Sequence, residues 1–262
     1  MIEVSSAQLQ LWVAAFLWPL VRITAFLVAA PVLGHSSIPN QAKIGLGVLL
    51  TLVVAPTLPP LPAVPIVSWA GLGVMIEQLL IGLAMGLVMR LAFTAVQVAG
   101  DIIGLQMGLG FATFFSPDSG GNTMILARYF NMIAMLMFLA FNGHLMVIEI
   151  LAGTFQSLPI GLVSFNPDAW NMLARYGATI FSAGLLLALP LVASLLIINL
   201  TMGILNRSAP QLTVFSVGFP LSLTVGLVLL MVLMTDLARY LEKLFSETLQ
   251  FLQSLLLSMA AG

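Results

Sequence analysis

The residues of this sequence that could do chemistry are a few charged side chains inside long apolar segments. Arg22 lies in the middle of the first such segment, and Glu77 lies inside a later one. A charge at the centre of a membrane span costs about 3 kcal/mol on insertion scales, so such groups usually face protein or water. They could relay protons or ions, or they could form buried ion pairs and hydrogen bonds. Because acids are few, we prefer the second interpretation and predict buried polar or inter-subunit roles for Arg22, Glu77, Asp101 and Arg207.

The familiar motifs of hydrolases, nucleotide-binding proteins and zinc enzymes do not occur in the sequence. His35 and His144 each lie beside a glycine, and neither belongs to an HExxH pair. No GxSxG elbow or P-loop is present, and the lack of cysteine excludes disulfides and thiolate metal sites. We therefore expect a non-enzyme with no catalytic residues, cofactor or metal. An intramembrane protease that uses Ser116 or Ser119 with a histidine is kept as an alternative.

The composition places these residues in a membrane-type helical protein. Of the 262 residues, 61% are hydrophobic and 6% are charged, and the mean hydropathy is +1.14. A transmembrane helix needs about 20 consecutive apolar residues, whereas a membrane barrel would show short alternating segments. The sequence therefore predicts an all-α protein with six long hydrophobic helices, over 11–33, 44–58, 66–89, 125–150, 179–204 and 212–235. The net charge of -1 gives no basic patch for nucleic acid.

Glycines at a spacing of four residues predict a closely packed helix over 91–110. Gly100, Gly104 and Gly108 fall on one helix face, which lets another backbone approach closely. Each glycine costs about 1 kcal/mol relative to alanine inside a helix, so a loosely determined loop is the alternative. Three glycines in register favour packing.

The segment after this ladder is too apolar for an ordinary loop and cannot continue as a helix. Phe111, Phe114 and Phe115 supply the apolar character, while Pro117 and the following glycines stop the helix. Irregular backbone at membrane depth persists only where it is buried in protein or lines a water-filled cavity. The sequence favours a re-entrant or pore-filling loop with an apolar constriction. An interfacial loop with its aromatics at the headgroups is the alternative.

Two further segments carry polar helix signals. Asn166 can cap a helix, Pro167 suits the first helical position, and Asp168 favours the positive end of the helix. A short helix is therefore predicted to begin there. After the last span, the apolar residues between Leu237 and Leu256 keep a helical period opposite charged and amide side chains. This tail is predicted to be an amphipathic helix that lies on a membrane surface or against a partner.

Three segments carry a pattern that is specific when they occur together. They are RITAFLVAAPVLGHSSIPNQAKIGLGVLL (Arg22 to Leu50), QMGLGFATFFSPDSGGN (Gln106 to Asn122) and LNRSAPQLTVFSVGFPL (Leu205 to Leu221). With the chain length and the hydropathy profile, they resemble the FliR family of flagellar biosynthetic proteins, which are type III secretion export-gate components. The resemblance covers essentially the whole chain.

The resemblance implies a function in protein export. Members of the family join FliP and FliQ in the core gate of the flagellar type III secretion system, a channel for unfolded flagellar subunits, and FlhB associates with the assembled gate. The implied location is the bacterial inner membrane within the flagellar basal body, with contacts to membrane lipid. Such a chain would provide closure and a conduit, while other components supply the energy.

The resemblance also implies an arrangement of the chain. Residues 1–175 would be a FliP-like part and residues 176–262 a FliQ-like hairpin with the amphipathic tail, together completing a spiral of helical hairpins. The segment from Gln106 to Asn122 would plug the closed pore. Its implied plug residues are Gln106, Met107, Gly108, Gly110, Phe111, Phe114, Phe115 and Pro117.

Two alternatives to a flagellar gate stay open at this point. An injectisome export gate would share the same motifs and serve virulence secretion. A secondary transporter for a small solute would instead use Arg22, Glu77, Asp101 and Glu149. The transporter predicts solute uptake by the purified chain alone.

Overall fold

A computed structural model describes residues 6–62, 64–110, 125–161, 166–208 and 217–261, with side chains described from residue 10 onward. Within these ranges the chain forms helices and turns and no strand, as the all-α prediction requires. The α-helices of the described residues are α1 (Ser6–Ala29), α2 (Asn40–Val54), α3 (Trp69–Gln106), α4 (Ile125–Ala140), α5 (Gly143–Ser157), α6 (Pro167–Tyr176), α7 (Thr179–Ser208) and α8 (Phe219–Ala260). A short 3-10 helix, Ala55–Thr57, follows α2.

Among the described residues, the helices long and apolar enough to cross a membrane number fewer than six. Four stretches of the described chain are long and apolar enough to cross a membrane, or five if α4 and α5 are counted as one broken span. The α2 helix has 15 residues, which is short for a bilayer core. The predicted helix over 125–150 breaks before Asn142, which adopts a left-handed φ of 56°. Asparagine tolerates this conformation better than most residues.

In two places, two segments that the sequence predicts separately form one continuous helix. The α3 helix has 38 residues and joins the predicted span over 66–89 to the glycine-bearing segment that follows it. The α8 helix has 42 residues and joins the last predicted span to the amphipathic tail. Composition changes along both helices, but neither contains a proline in its middle that would stop it.

The short helix α6 begins as its sequence predicts. The Asn166 side chain accepts a hydrogen bond from the Asp168 backbone N–H at 3.0 Å, and Pro167 occupies the first helical turn. Asp168 lies in the first turn and Arg175 in the last, so both charges complement the helix dipole. The capping prediction is confirmed.

The chain divides into two compact units. Unit 1 consists of residues 1–91, 142–177 and 247–262, and unit 2 consists of residues 92–141 and 178–246. Both units draw on segments that are distant in sequence. The predicted division between residues 175 and 176 stays a prediction, because it concerns likeness to other proteins and not packing within this chain.

Among the described residues, the core of unit 1 is mainly apolar and contains one charged side chain. Trp18 and Phe26 of α1, Met85 of α3 and Phe155 of α5 are all buried, and Arg22 is buried among them. Tyr176 of α6 stacks on Phe251 of the tail with ring centroids 3.8 Å apart.

The core of unit 2 contains a cluster of three phenylalanines. The rings of Phe93, Phe138 and Phe245 have centroids 5.0 to 5.4 Å apart, which is within the favourable range for aromatic pairs. The other buried hydrophobic residues described in unit 2 are mainly alanine and leucine.

The apolar face of the tail packs within the chain itself. Its members are all buried, namely Leu237, Leu241, Leu244, Phe245, Leu249, Leu252, Leu255 and Leu256. The opposite face, which carries residues such as Asp236 and Glu242, is exposed. The helical period is therefore confirmed. The predicted placement of this face on a membrane surface or a partner is wrong, because the chain's own core already covers it.

Candidate functional site

A buried guanidinium joins three helices of unit 1. Arg22 of α1 has no exposed surface. Its Nε donates to Gln78 Oε1 at 2.8 Å and its Nη1 donates to Thr154 Oγ1 at 2.9 Å. Its Nη2 donates to the backbone carbonyl of Leu158 at 2.9 Å, and its Cζ lies 4.3 Å from the centroid of the Phe155 ring. We call these five residues the Arg22 cluster.

Arg22 caps the C-terminal end of α5. The last carbonyls of a helix lack partners within the helix, and Leu158 is the residue that caps α5. A cationic donor at this end satisfies a carbonyl and also complements the negative end of the helix dipole. Arg22 thus finds its partners within its own chain.

Close packing of α1 against α3 brings Gln78 within reach of Arg22. A Cβ at Gly82 would collide with the backbone carbonyl oxygen of Arg22, and one at Gly86 would collide with the Ala29 side chain. Gln78, Gly82 and Gly86 recur every four residues and therefore share one helix face. The two glycines let that face lie directly against α1.

A second site, which is largely apolar, lies in unit 2 at the C-terminal end of α3. The α3 helix stops at Gln106, and Gly108 has a φ of 81°, a conformation that strains any residue with a Cβ. The ring of Phe219 at the start of α8 lies 2.9 Å from the position that a Gly108 Cβ would occupy. Met107 is buried, with 1% of its surface exposed. We call the end of α3 and its contacts on α8 the root.

A pocket of about 270 Å³ opens beside the root. Its walls combine apolar side chains with a few amides and hydroxyls, and they are Leu105, Gln106, Met107, Gly108, Asn199, Met202, Gly203, Gly218, Phe219 and Ser222. Ser222 Oγ donates to Asn199 Oδ1 at 2.9 Å, which ties α7 to α8 at the pocket wall.

The glycines of α3 in unit 2 differ in their surroundings. A Cβ at Gly100 would lie 2.6 Å from the Ala127 Cα, so the backbones of α3 and α4 touch at this point. Gly104 is buried in α3. Gly108 is no longer part of the helix.

The other predicted site residues are spread over the fold. Glu77 and Asp101 are half-buried on α3, and Arg207 is exposed in the last turn of α7. Gln106 and Gly110 are half-buried at the root and just beyond it. The remaining plug residues, Phe111, Phe114, Phe115 and Pro117, lie outside the described residues, as do Ser116 and Ser119 of the protease alternative.

The partners of both sites were not predicted from the sequence. Gln78 had a usable signal, because it continues the spacing of Gly82 and Gly86 on α3. Thr154 had none, since its 132-residue separation from Arg22 is bridged only by the fold. Gly226 of α8, which contacts Met107 at the root, is an isolated glycine in an apolar segment and carried no signal.

Comparison with known proteins places the chain among export proteins. A model of the family "Bacterial export proteins, family 1" matches residues 13–248. A protein of Pectobacterium carotovorum subsp. carotovorum named flagellar biosynthetic protein FliR is 50% identical over 251 residues, covering 96% of each chain. Proteins of the same name from Escherichia coli (strain K12) and Bacillus subtilis (strain 168) are 47% and 30% identical over 256 and 245 residues. These alignments cover 98% of both chains for Escherichia coli, and 92% of this chain and 94% of the relative for Bacillus subtilis.

Proposed function

Because the chain belongs to the bacterial export protein family and to its flagellar biosynthetic FliR group, we propose that it is a component of the flagellar type III secretion export gate. With FliP and FliQ it forms the channel through which unfolded flagellar subunits pass, and FlhB associates with this gate. The observation that carries the proposal is the near full-length similarity to relatives named for flagellar biosynthesis.

The family and the fold together indicate a membrane protein, since several helices are long and apolar enough to cross a bilayer. Within the proposal, that membrane is the bacterial inner membrane at the flagellar basal body. The relatives are named as biosynthetic proteins and not as enzymes. Within the proposal, the chain is a passive conduit. The names of the relatives favour an export gate of the flagellum over one of an injectisome.

The proposal assigns closure of the channel to the segment from Gln106 to Asn122. Support comes from the root, where the left-handed Gly108 ends α3 and Phe219 packs against it. Because the chain is packed against α8 at Gly108, the segment that follows starts from a fixed position. A plug needs such a fixed start to return to the same place in the pore. The three phenylalanines that follow would exclude water from a narrow pore by their apolar surface.

The plug is tested by deleting residues 111–115 from the full chain in cells that lack their own copy. We expect the chain still to co-purify with FliP and FliQ, because the deletion leaves the sequence of the root and of helices α1 to α8 unchanged. The ion conductance of membranes that contain the assembled complex should rise, since the apolar filling is lost.

A matched pair of variants separates apolar filling from loop length. Replacing Phe111, Phe114 and Phe115 with leucine keeps an apolar loop and should keep the membrane tight. Replacing the same residues with serine should make it leaky. Unchanged conductance for the deletion and the serine variant, in complexes shown to assemble, would contradict the plug assignment.

A further inference from the structure

One face of α3 in unit 1 is exposed and carries only large aliphatic side chains. Between Trp69 and Arg90, the exposed residues of α3 are Leu72, Ile76, Leu79, Leu83 and Leu87. They recur at spacings of three or four residues, so they lie on one face of the helix. We call these five residues the α3 stripe. The one acid between Trp69 and Arg90, Glu77, is half-buried, so the exposed face presents no negative charge.

The α3 stripe differs from the face of α3 that packs inside the chain. Gly82 and Gly86 let α1 lie directly against α3, and interfaces between membrane helices are enriched in such small residues. The α3 stripe has no small residue, so its leucine and isoleucine side chains keep the backbone of any second helix at a distance. Flexible acyl chains can fill the spaces between such side chains without a close backbone approach. The composition of the stripe therefore fits lipid better than a partner helix.

The residues at the two ends of the α3 stripe have a spacing that matches a bilayer. Trp69 and Arg90 are 21 residues apart, which is about 32 Å along a helix. The hydrocarbon core of a bilayer is about 30 Å thick. Trp69 has 89% of its surface exposed, and Arg90 is exposed as well. Tryptophan collects at the level of lipid headgroups, and an arginine near a helix end extends its charge to that level. The two ends of the stripe therefore complement two headgroup layers.

The direction of α1 relates a second tryptophan to Trp69. Gly82 lies against the backbone of Arg22, and Gly86 lies against Ala29, so α1 and α3 run in the same direction.

Trp12 of α1 lies at the same level as Trp69 of α3. Arg22 and Gln78 are joined by a hydrogen bond between the two helices. Trp12 lies ten residues before Arg22, and Trp69 lies nine residues before Gln78. Trp12 is also exposed, with 62% of its surface accessible. Two exposed tryptophans at one end of neighbouring helices are typical of the aromatic belt at a membrane interface.

We propose that the α3 stripe contacts the acyl chains of membrane phospholipids, with Trp12 and Trp69 at one headgroup layer and Arg90 at the other. The inference goes beyond the proposed function, because it assigns the surface of the chain that meets lipid and not the parts that meet protein. The stripe stays in lipid when FliP and FliQ are bound. The residues that form it and bound it all belong to the described part of unit 1.

The test uses spin labels on single cysteines in the full chain, which has no cysteine of its own. Each residue of the α3 stripe is replaced in turn by cysteine and labelled. The chain is placed in vesicles of phosphatidylethanolamine and phosphatidylglycerol, by itself and in complex with cysteine-free FliP and FliQ. Collisions of the label with molecular oxygen, which concentrates in hydrocarbon, are compared with collisions with a polar nickel complex, which stays in water.

Gln156→Cys on α5 is the matched control at the same depth. Gln156 is exposed and lies two residues from Thr154, which accepts a hydrogen bond from Arg22. Arg22 in turn bonds Gln78, the neighbour of Leu79 in the middle of the stripe. The exposed face of α5 is polar, since it also carries Glu149.

We expect the oxygen-to-nickel collision ratio to be about tenfold higher at Leu79 and Leu83 than at Gln156, because hydrocarbon excludes polar solutes. The ratio should fall toward Leu72 and Leu87, which lie nearer to the headgroups. Ratios along the stripe no higher than at Gln156 would overturn the inference. A high ratio that is lost when FliP and FliQ bind would also overturn it, since a protein then covers the stripe. The five positions are independent, so a variant that fails to fold leaves the others to decide.

Discussion

The C-terminal ends of α5 and α3 are held in place by different kinds of contact. In unit 1 the end of α5 is held by Arg22, through three hydrogen bonds and an aromatic ring. In unit 2 the end of α3 is held by Met107 and Gly108, through packing against Gly226 and Phe219. The first site is polar and completely buried, and the second is largely apolar and borders a pocket.

The two sites differ in the free energy that it costs to separate their contacts. A buried hydrogen-bond donor or acceptor that loses its partner costs about 1–3 kcal/mol, and the planar guanidinium satisfies its acceptors in one fixed geometry. Displacing the Arg22 cluster therefore carries a penalty for every separated group. Dispersion contacts are weak one by one and re-form with other neighbours. The Arg22 cluster suits a permanent joint, whereas the apolar contacts of the root can shift without leaving a buried polar group unpaired.

The largest effect is expected from Arg22→Met, which breaks the permanent joint. It leaves the acceptors on Gln78, Thr154 and Leu158 without their donor, at about 1 kcal/mol each and about 3 kcal/mol in total. The amount of chain in the membrane fraction and its resistance to heat in detergent should both fall. The membrane should stay tight, because the root is untouched.

Arg22→Lys serves as the control for charge. Lysine keeps the charge but cannot reproduce the planar fork of donors, so we expect a loss of stability close to that of Arg22→Met. An Arg22→Met chain as stable as the original would mean that the cost of burying the guanidinium equals the gain from its bonds. The contrast between the two sites would then disappear.

An intermediate effect is expected from Gly108→Ala at the root. A residue with a Cβ costs about 1–2 kcal/mol in the left-handed conformation, and the new methyl group also meets the Phe219 ring. We expect near-normal amounts of assembled complex with raised ion conductance, the reverse of the Arg22→Met result. Combining it with Phe219→Leu separates the ring contact from the backbone strain. If the chain were lost from the membrane fraction and the conductance did not rise, Gly108 would contribute to stability, as Arg22 does, and not to closure.

The smallest effect is expected from Ser222→Ala at the pocket wall. It removes the hydrogen bond to Asn199 and costs about 1 kcal/mol. Thermal stability in detergent should fall slightly, and the ion conductance of the membrane should stay at the level of the unaltered chain. A loss as large as that of Arg22→Met would show that the root also depends on polar bonds.

Local signals in the sequence predicted the elements better than their connections. Asn166, Pro167 and Asp168 predicted where α6 begins, because capping depends on adjacent residues. The tail was predicted as a helix from its period, but its apolar face covers this chain's own core. The break before Asn142 was missed, since a left-handed asparagine leaves no mark in an apolar run.

By itself, the amino-acid sequence determined the helical class, the membrane-grade hydrophobicity and the family, because composition, helical period and motifs are properties of the chain alone. It also indicated that Arg22 needs partners and that the helix before the phenylalanine-rich loop must end. Only the tertiary structure decided which groups meet these needs. Thr154 and Gly226 lie 132 and 119 residues from the side chains that they contact, Arg22 and Met107. Contacts over such separations depend on how the helices pack, and no local pattern records them.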